Sequence, residues 1–344
     1  DHVLFAGTTH EPAVQLAERL VEISPEGLER VFFSDNGSTA VEVALKMVVQ
    51  AWQQRGERSR ETFVALAGGY HGDTCGAMSV GDPDPFFAPY RSMLFDVRRT
   101  APDVDALAAI LDELGRRAAG VIVEPLVQGA GGMRMHDDAT LRALARACEA
   151  RGVPWIADEV MTGFGRTGAL FACRRAGVEP DVMCLSKGIT GGILPLAVTL
   201  ATDELFEAFV SDDRGRMLFH GHSFTANPIT CAVALASLDL VEERDVPTRL
   251  DAIGATIEAR LAGSVPATEC NLRRTGGIVA LDLPGESGYL AGIATRIRRE
   301  SIERGVLLRP LGEVLYALPP ASTTDDEALE IADAMADAYR SSLG

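Results

Sequence analysis

Short apolar runs alternate with segments of helical periodicity from the start of the chain to about position 243. Val41, Leu45, Val48 and Trp52, for example, recur at spacings of three and four, which is the period of one helix face. Buried strands that alternate with such helices are typical of α/β folds, in which a mostly parallel sheet carries helices on both faces. We predict seven strands, over 31–34, 62–67, 92–97, 120–123, 153–157, 181–186 and 196–201.

The pattern changes after position 243. Three further strands are predicted there, over 277–283, 306–309 and 314–318. Two helices are predicted among them, over 251–262 and 290–304. Thr324 followed by Glu327 has the spacing of a capping box, which predicts the start of a last helix. We therefore expect a large domain over 1–243 and a small C-terminal α+β domain over 244–344.

Two predicted strands end in groups that can do chemistry. One apolar run ends at Asp158, and the next ends just before Lys187. Since the carboxyl ends of parallel strands meet at one edge of an open sheet, where ligands bind, we expect this carboxylate and this amine to face the same cleft.

Lysine is rare in this chain, which has 32 Lys and Arg residues but only two lysines, Lys46 and Lys187. Lys46 follows Glu42 by one helical turn, a spacing that suits a solvated ion pair on a helix surface. Lys187 follows a buried strand and precedes a Gly-rich turn. We expect it to be desolvated there, which would make its amine a usable nucleophile, although a lysine that caps a strand end in solvent is the alternative.

Small polar turns precede two of the predicted helices. The turn at 35–39 leads from a strand to a helix N-terminus, where free amides and hydroxyls form a ready anion site. Capping of the helix by Ser38 or Thr39 uses the same geometry and remains an alternative. A second Gly-rich loop carries Tyr70, which is placed either to stack on a planar ring or to pack in the core.

Composition narrows the classes of partner. The formal charge of −17 argues against non-specific binding to nucleic acid or to an anionic membrane. The six cysteines show no metal-ligand spacing and are interpreted as small buried residues of a protein in a reducing compartment, so a cytoplasmic location is expected. The first residue is Asp rather than Met, which leaves open a leader or a longer N-terminus.

A lysine for a Schiff base, a carboxylate for a ring nitrogen, an anion site and a stacking aromatic are together the requirements of pyridoxal 5′-phosphate. The motifs SDNGSTAVEVALKM, GYHGDT, DEVMTGFGRTG and LSKGITGG resemble those of the class III aminotransferases, which have the fold of type I pyridoxal-phosphate enzymes. The resemblance covers nearly the whole chain. The segments EPLVQGAGGM, HGHSFTANP and LLRPLGEVLYALPP are most similar to the members that aminate 8-amino-7-oxononanoate in biotin biosynthesis.

The resemblance implies a role for each residue of the cofactor site. Lys187 would form the Schiff base and move the proton of the amino transfer, and Asp158 would pair with the pyridine nitrogen. Tyr70 would stack on the ring, while Gly37 and Ser38 would hold the phosphate.

The resemblance also implies partners for this site. His222 and Ser223 would reach the phosphate of the cofactor in the other subunit, so a homodimer with shared active sites is expected. Arg309 would bind the carboxylate of the keto substrate. Further substrate contacts would come from Tyr316, Asp73 and Arg166. Family members carry roughly seventy more residues before the position that matches Asp1. The better-known members that use S-adenosylmethionine have Pro-Thr where this chain has His222-Ser223, and the HGHS form resembles members that use lysine, so the amino donor stays open.

Three alternatives are weighed against this reading. Another class III enzyme, such as a lysine, ornithine or 4-aminobutyrate aminotransferase or an aminomutase, would share the cofactor site. A non-catalytic module of the same fold is disfavoured because both Lys187 and Asp158 are present and no DNA-binding segment is attached. A nucleotide-binding dehydrogenase is disfavoured because no GxGxxG follows a strand.

Overall fold

Twelve strands are present in the computed structural model, which describes residues 4–82, 87–284 and 293–343. In chain order they are β1 (Leu28–Ser34), β2 (Thr62–Leu66), β3 (Val97–Thr100), β4 (Ala118–Val123), β5 (Val127–Gln128), β6 (Arg134–Met135), β7 (Trp155–Asp158), β8 (Val182–Leu185), β9 (Ala197–Thr202), β10 (Arg273–Thr275), β11 (Ile278–Asp282) and β12 (Val314–Ala317).

The described ranges also contain eleven α-helices. They are α1 (Glu11–Ile23), α2 (Gly37–Gln54), α3 (Cys75–Val80), α4 (Val104–Leu114), α5 (Asp138–Glu149), α6 (Ala172–Ala176), α7 (Asp203–Glu207), α8 (Pro228–Glu243), α9 (Val246–Ala262), α10 (Ile293–Glu303) and α11 (Asp325–Ser342). Within the described ranges, none of these helices combines the length and the apolar character that crossing a bilayer requires.

The chain divides into two compact units. The first consists of 1–126, 136–163 and 171–243, and the second consists of 127–135, 164–170 and 244–344. The second unit thus takes two short segments from the first half of the chain in addition to the C-terminal hundred residues.

A seven-stranded sheet organises the first unit, in the order β1-β9-β8-β7-β4-β2-β3. The neighbours β8, β7, β4, β2 and β3 pair in parallel, whereas β9 runs antiparallel to both β1 and β8. The predicted mostly parallel, seven-stranded sheet is confirmed. All residues of β4, β7 and β8 are buried, which requires cover on both faces of the sheet.

Helix α2 shows why the apolar period in the sequence produces this packing. Its buried stripe includes Val41, Ala44 and Val48, and the helix packs against β1, β4, β8 and β9. At its far end the indole Nε1 of Trp52 donates a hydrogen bond of 2.8 Å to the carbonyl of Ala119, which satisfies the one polar atom of a buried ring. This packing holds α2 against the sheet from Val41 to Trp52.

The second unit contains an antiparallel sheet in the order β10-β11-β12 and the two-stranded hairpin β5–β6. Helices α9, α10 and α11 supply its apolar core together with β11 and β12. Helix α11 begins with the predicted capping box: the Thr324 hydroxyl accepts from the amide of Glu327, and the Glu327 carboxylate accepts from the amide of Thr324.

Two predicted strands are wrong in position. The segment predicted as the third strand, 92–97, consists of the end of a 3₁₀ turn (Ala88–Met93) and a stretch without regular structure, and β3 begins only at its last residue, Val97. The segment 306–309 is not a strand, because the amide of Val306 donates to the carbonyl of Ser301 and closes the end of α10. Helix α10 is described from Ile293, and the predicted start of this helix at position 290 lies outside the described residues.

The cysteine interpretation needs one correction. All six cysteines are free, and five are buried as expected, but Cys75 is exposed because it occupies the first position of α3.

We expect Thr324→Ala to lower the free energy of unfolding of the second unit by about 1 kcal/mol, because an amide at the start of α11 loses its acceptor. Urea titration followed by circular dichroism measures this change. Thr324→Ser keeps a hydroxyl and serves as the control. An alanine variant as stable as the serine variant would contradict the role of the cap.

Candidate active site

A buried carboxylate at the end of β7 is the centre of the site. Asp158 is 5% exposed, and its Oδ2 lies 2.7 Å from the Nδ1 of His71, which is 4% exposed. Its Oδ1 accepts from the amide of Val160 at 3.1 Å. Both oxygens are thus held in fixed directions, with the carboxylate at the carboxyl end of a central parallel strand.

His71 carries a proton more readily than an ordinary histidine. Burial opposes its charged form, but the hydrogen bond to Asp158 and the charges of Asp158 and Glu124 outweigh that effect and raise the pKa of His71. When His71 is protonated, it forms a buried ion pair with Asp158.

Glu124, which directly follows β4, holds the next residue of the same loop. Its Oε1 accepts from the amide of Tyr70 at 2.8 Å, and the residue is 7% exposed. The ring of Tyr70 is half-buried and stacks on Phe87 with a centroid distance of 6.3 Å and an angle of 20°. Glu124 and Asp158 thus clamp successive residues, Tyr70 and His71, at the sheet edge.

Glu159, the neighbour of Asp158, has a structural role. It is fully buried, and it accepts from the hydroxyl of Thr162 and from the amides of Ala172 and Cys173 at 2.7–3.0 Å. Burial raises the pKa of this carboxyl although its donors oppose that shift. The two amides belong to the first residues of α6, so Glu159 anchors the start of this helix. Of the acidic pair at the end of β7, only Asp158 contacts His71.

Lys187 lies just beyond the neighbouring strand. Asp158 is opposite Cys184 in β8, and Lys187 follows three residues later as the first residue of a 3₁₀ turn. Its φ of 43° is in the left-handed region, which costs a side-chain-bearing residue about 1–2 kcal/mol. Backbone strain of this kind is concentrated at functional sites.

The expectation that Lys187 is desolvated is wrong for this chain. The residue is exposed, and its amine has no hydrogen bond or ion pair with the part of the chain that the structure describes. The reason is that β8 ends at Leu185, so the lysine belongs to the turn that leaves the sheet and not to the covered layer. An accessible amine is therefore available near the buried carboxylate.

The other lysine has a different role. Lys46 is exposed as predicted, but it does not pair with Glu42. Its amine contacts the carbonyl of Phe219 at 3.2 Å and the Nδ1 of His220 at 3.0 Å, while the Glu42 carboxylate accepts from the amide of Gly76. Lys46 thus holds residues 219–220 against α2.

The N-terminus of α2 has two open donors. Asn36 caps the helix through Thr39, so neither Ser38 nor Thr39 is the N-cap residue. The amides of Gly37 and Ser38 have no acceptor among the residues described, and they lie in the first turn of an 18-residue helix. These are the donors that an anion at a helix N-terminus requires.

Close contacts bring this helix end to the same edge as the buried carboxylates. A Cβ on Gly37 would lie 2.8 Å from Val160, two residues after Asp158. A Cβ on Gly72 would lie 2.1 Å from the Oγ of Ser38, and this Oγ accepts from the amide of Asp73 at 3.1 Å. The predicted residues Gly37, Ser38, Tyr70, Asp73 and Asp158 are therefore neighbours at one sheet edge.

His222 and Ser223 lie elsewhere in the first unit, in the loop before α8. Ser223 is exposed. The Nδ1 of His222 accepts from the amide of Phe224, and its Nε2 is buried without a hydrogen-bond partner among the described residues. The predicted contact of His222 and Ser223 with a cofactor in another subunit stays a prediction.

The remaining predicted residues belong to the second unit. Arg166 donates to the carbonyl of Pro319 at 2.7 Å, and burial lowers its pKa. Tyr316 is half-buried in β12, and Arg309 is exposed in the segment before it.

The sequence of this chain matches the model of one protein family, Aminotransferase class-III, over residues 1–339. The chain belongs to the class III aminotransferases. The geometry above agrees with the requirements of such an enzyme, since an accessible lysine, a buried carboxylate and a helix N-terminus with open donors are present in one unit.

Two relatives of this chain share one name. The adenosylmethionine-8-amino-7-oxononanoate aminotransferase of Synechococcus elongatus is 50% identical over 98% of this chain and 82% of its own length. That of Geobacter sulfurreducens is 41% identical over 95% of this chain and 78% of its own length.

Solved structures of class III enzymes show the same fold. The crystal structure of the Methanocaldococcus jannaschii enzyme of the same name has a TM-score of 0.94 and 33% identity, and it covers 99% of this chain and 82% of that chain. An amine transaminase from a Pseudomonas species, solved in its PLP-bound form, has a TM-score of 0.91 and 33% identity, with 99% of this chain and 83% of that chain covered.

Two residues of this class III site, His71 and Glu124, were not predicted from the sequence. His71 stands in the quoted motif GYHGDT, and Glu124 directly follows a predicted strand, as Asp158 ends one. The available signal was the position of Glu124 at a strand end, beside the strand that ends in Asp158. No local pattern indicated that the loop carrying His71 would fold onto both carboxylates.

We expect Gly72→Ala to destabilise the protein by about 2–4 kcal/mol, since a Cβ there meets Ser38 and the φ of 127° is unfavourable for alanine. Gly177→Ala is the matched control, because its φ is also positive but nothing lies within 4 Å of the added carbon. Equal stabilities of the two variants in urea titration would show that Gly72 is not needed for the contact with Ser38.

Proposed function

We propose that this chain catalyses the pyridoxal-phosphate-dependent transfer of an amino group to 8-amino-7-oxononanoate, which gives 7,8-diaminononanoate for biotin biosynthesis. The observation that carries the proposal is the identity of 50% over 98% of the chain with a relative named for this substrate. The residues at the edge of the sheet fit the cofactor that such a transfer needs.

The cofactor supplies an aldehyde that condenses with amines and a protonated ring that withdraws electrons from the adjacent carbon. Asp158 would hold the ring nitrogen, because it is a buried carboxylate that ends a central strand. The open amides of Gly37 and Ser38 would hold the phosphate, since a helix N-terminus favours an anion. Tyr70, whose backbone is fixed by Glu124, would cover the ring.

Lys187 would move the proton of the reaction. Its amine is accessible and has no partner among the described residues, so it is available both to bind an aldehyde and to take a proton from the substrate carbon that carries the transferred nitrogen. The same amine would then give this proton to the carbon on the other side of the transferred nitrogen, before that nitrogen separates from the substrate.

A homodimer with shared active sites is part of the proposal. Large apolar side chains are exposed on both sides of His222 and Ser223: Phe219 is 67% exposed, Phe224 64% and Ile229 67%. Exposed apolar groups at this density are typical of a surface that another chain covers. We place the reaction in the cytoplasm, where free thiols such as the six cysteines persist.

The amino donor is proposed to be S-adenosylmethionine or lysine. The names of the relatives favour the former. An amine transaminase with a TM-score of 0.91 supports a second candidate function, the transfer of an amino group from simple amines.

A half-reaction screen separates these candidates. The cofactor-loaded protein is mixed in turn with S-adenosylmethionine, lysine and an arylalkyl amine, and its visible absorbance is followed. The proposal requires that S-adenosylmethionine or lysine remove the visible band and that 8-amino-7-oxononanoate restore it. Bleaching by the arylalkyl amine alone, without recovery on addition of the keto acid, would reject the biotin assignment.

Replacement of the proposed nucleophile tests the cofactor chemistry. We expect Lys187→Ala to abolish the covalent product that borohydride traps between the protein and pyridoxal phosphate, because the one other lysine, Lys46, is bound to Phe219 and His220. Peptide mass spectrometry measures the product. Lys46→Ala, which removes the only other lysine, should leave it intact. Trapping on a peptide without Lys187 would reassign the nucleophile.

Replacement of Arg309 tests the acceptor site. We expect Arg309→Ala to raise the KM for 8-amino-7-oxononanoate at least tenfold, since a charge-assisted hydrogen bond is worth about 1.5–3 kcal/mol, with a small change in the KM for the donor. Arg304→Ala is the control, because Arg304 is an exposed arginine of the same unit that pairs with Asp337. A larger effect on the donor than on the keto acid would assign Arg309 to the donor site.

A further inference from the structure

Glu124 and Asp158 end neighbouring parallel strands at the same level. Val123 of β4 is paired with Ala157 of β7. The residues that follow them, Glu124 and Asp158, are therefore about 4.8 Å apart in the backbone. Both carboxylates are more than nine-tenths buried. Two buried carboxylates this close repel each other unless a positive charge lies between them.

His71 supplies that positive charge. It donates from Nδ1 to Asp158, and the residue before it in the loop, Tyr70, donates its amide to Glu124. Glu124 and Asp158 are the charged groups that act on the imidazole. With both carboxylates ionised and His71 protonated, the cluster carries a net charge of −1.

The charge balance distinguishes the two carboxylates. Asp158 and protonated His71 alone would form a neutral pair, which offers no net charge to a ring cation. The negative charge that remains is contributed by Glu124.

We propose that Glu124 is a positioning residue for the amino transfer: beside the buried Asp158–His71 pair, it supplies the negative charge that balances a protonated pyridine ring. This inference rests on the proposed function. Glu124 acts through Tyr70 and His71 and does not itself touch the cofactor.

The test is Glu124→Gln, which keeps a carbonyl acceptor for the Tyr70 amide and removes the charge. In the variant the cluster is neutral while His71 is protonated, and it regains a charge of −1 only when His71 loses its proton at higher pH. Two readouts follow from this, the titration of the His71 ring and the affinity for pyridoxal phosphate as a function of pH.

The ring titration is followed by NMR of protein labelled with ¹⁵N-histidine, with the His71 signals assigned through His71→Gln. We expect His71 of the native chain to titrate at a higher pH than His136, whose pKa is lowered by burial. In Glu124→Gln the midpoint of His71 should fall. A neutral His71 at pH 7 in the native protein, or an unchanged midpoint in the variant, would overturn the inference.

The affinity for pyridoxal phosphate supplies the second readout. The Kd of Glu124→Gln should exceed that of the native protein by about tenfold or more at pH 6, and the difference should shrink as the pH rises and His71 loses its proton. A difference that is the same at every pH would mean that Glu124 only holds the loop, and the charge role would be rejected.

Asp82→Asn is the matched control. Its carboxylate also accepts a backbone amide, that of Gly68 at 2.8 Å, in the strand-to-loop segment that leads to Tyr70, but it is not among the charges that act on His71. This variant should leave the His71 midpoint unchanged, and a shift equal to that of Glu124→Gln would overturn the inference. If Glu124→Gln does not fold, the titration of His71 is still measured in the native chain, and a neutral His71 at pH 7 overturns the inference. Failure of the native protein to transfer an amino group from any donor would reject the proposed function, whereas the ring titration would still report on Glu124.

Discussion

The hydrogen bond between Asp158 and His71 is the interaction on which the site depends. A carboxylate that is 5% exposed is stable as an anion only if fixed donors replace the water it has lost, and here an imidazole at 2.7 Å and the amide of Val160 do so. The bond also ties the loop after β2 to the end of β7, two elements that are far apart in sequence. This contact therefore forms only when the first unit is folded.

The same contact arranges its surroundings. Once His71 is bound to Asp158, Tyr70 is next to Glu124, and Gly72 lies against Ser38 at the start of α2. Only a residue without a side chain fits between them, since an added carbon would lie 2.1 Å from the Ser38 hydroxyl. The open amides of α2, the aromatic ring and the carboxylate therefore meet because the loop closes over a sheet whose strands end at one level.

The sequence contained enough information to predict the alternation of strands and helices and to place Asp158 and Lys187 at or just beyond the ends of neighbouring strands, because apolar period and strand ends are local properties. It could not reveal that β9 is antiparallel, since residue periodicity does not depend on strand direction. The sequence also could not predict contacts between segments that are distant along the chain. Glu42 binds Gly76 and not Lys46, His71 binds Asp158, and Lys187 is exposed because its strand ends two residues earlier. The error at segment 306–309 is the opposite one. An apolar run there predicted a strand, but the segment pairs with no strand among the residues that the structure describes.

A crystal structure of the protein loaded with pyridoxal phosphate tests the central claim most directly. Our account predicts electron density that is continuous from the Nζ of Lys187 to the cofactor, an Asp158 oxygen within hydrogen-bond distance of the ring nitrogen, and His71 still bound to the other side of the same carboxylate. A cofactor whose ring nitrogen lies opposite another group, or a Lys187 side chain that points away from the cofactor, would contradict it.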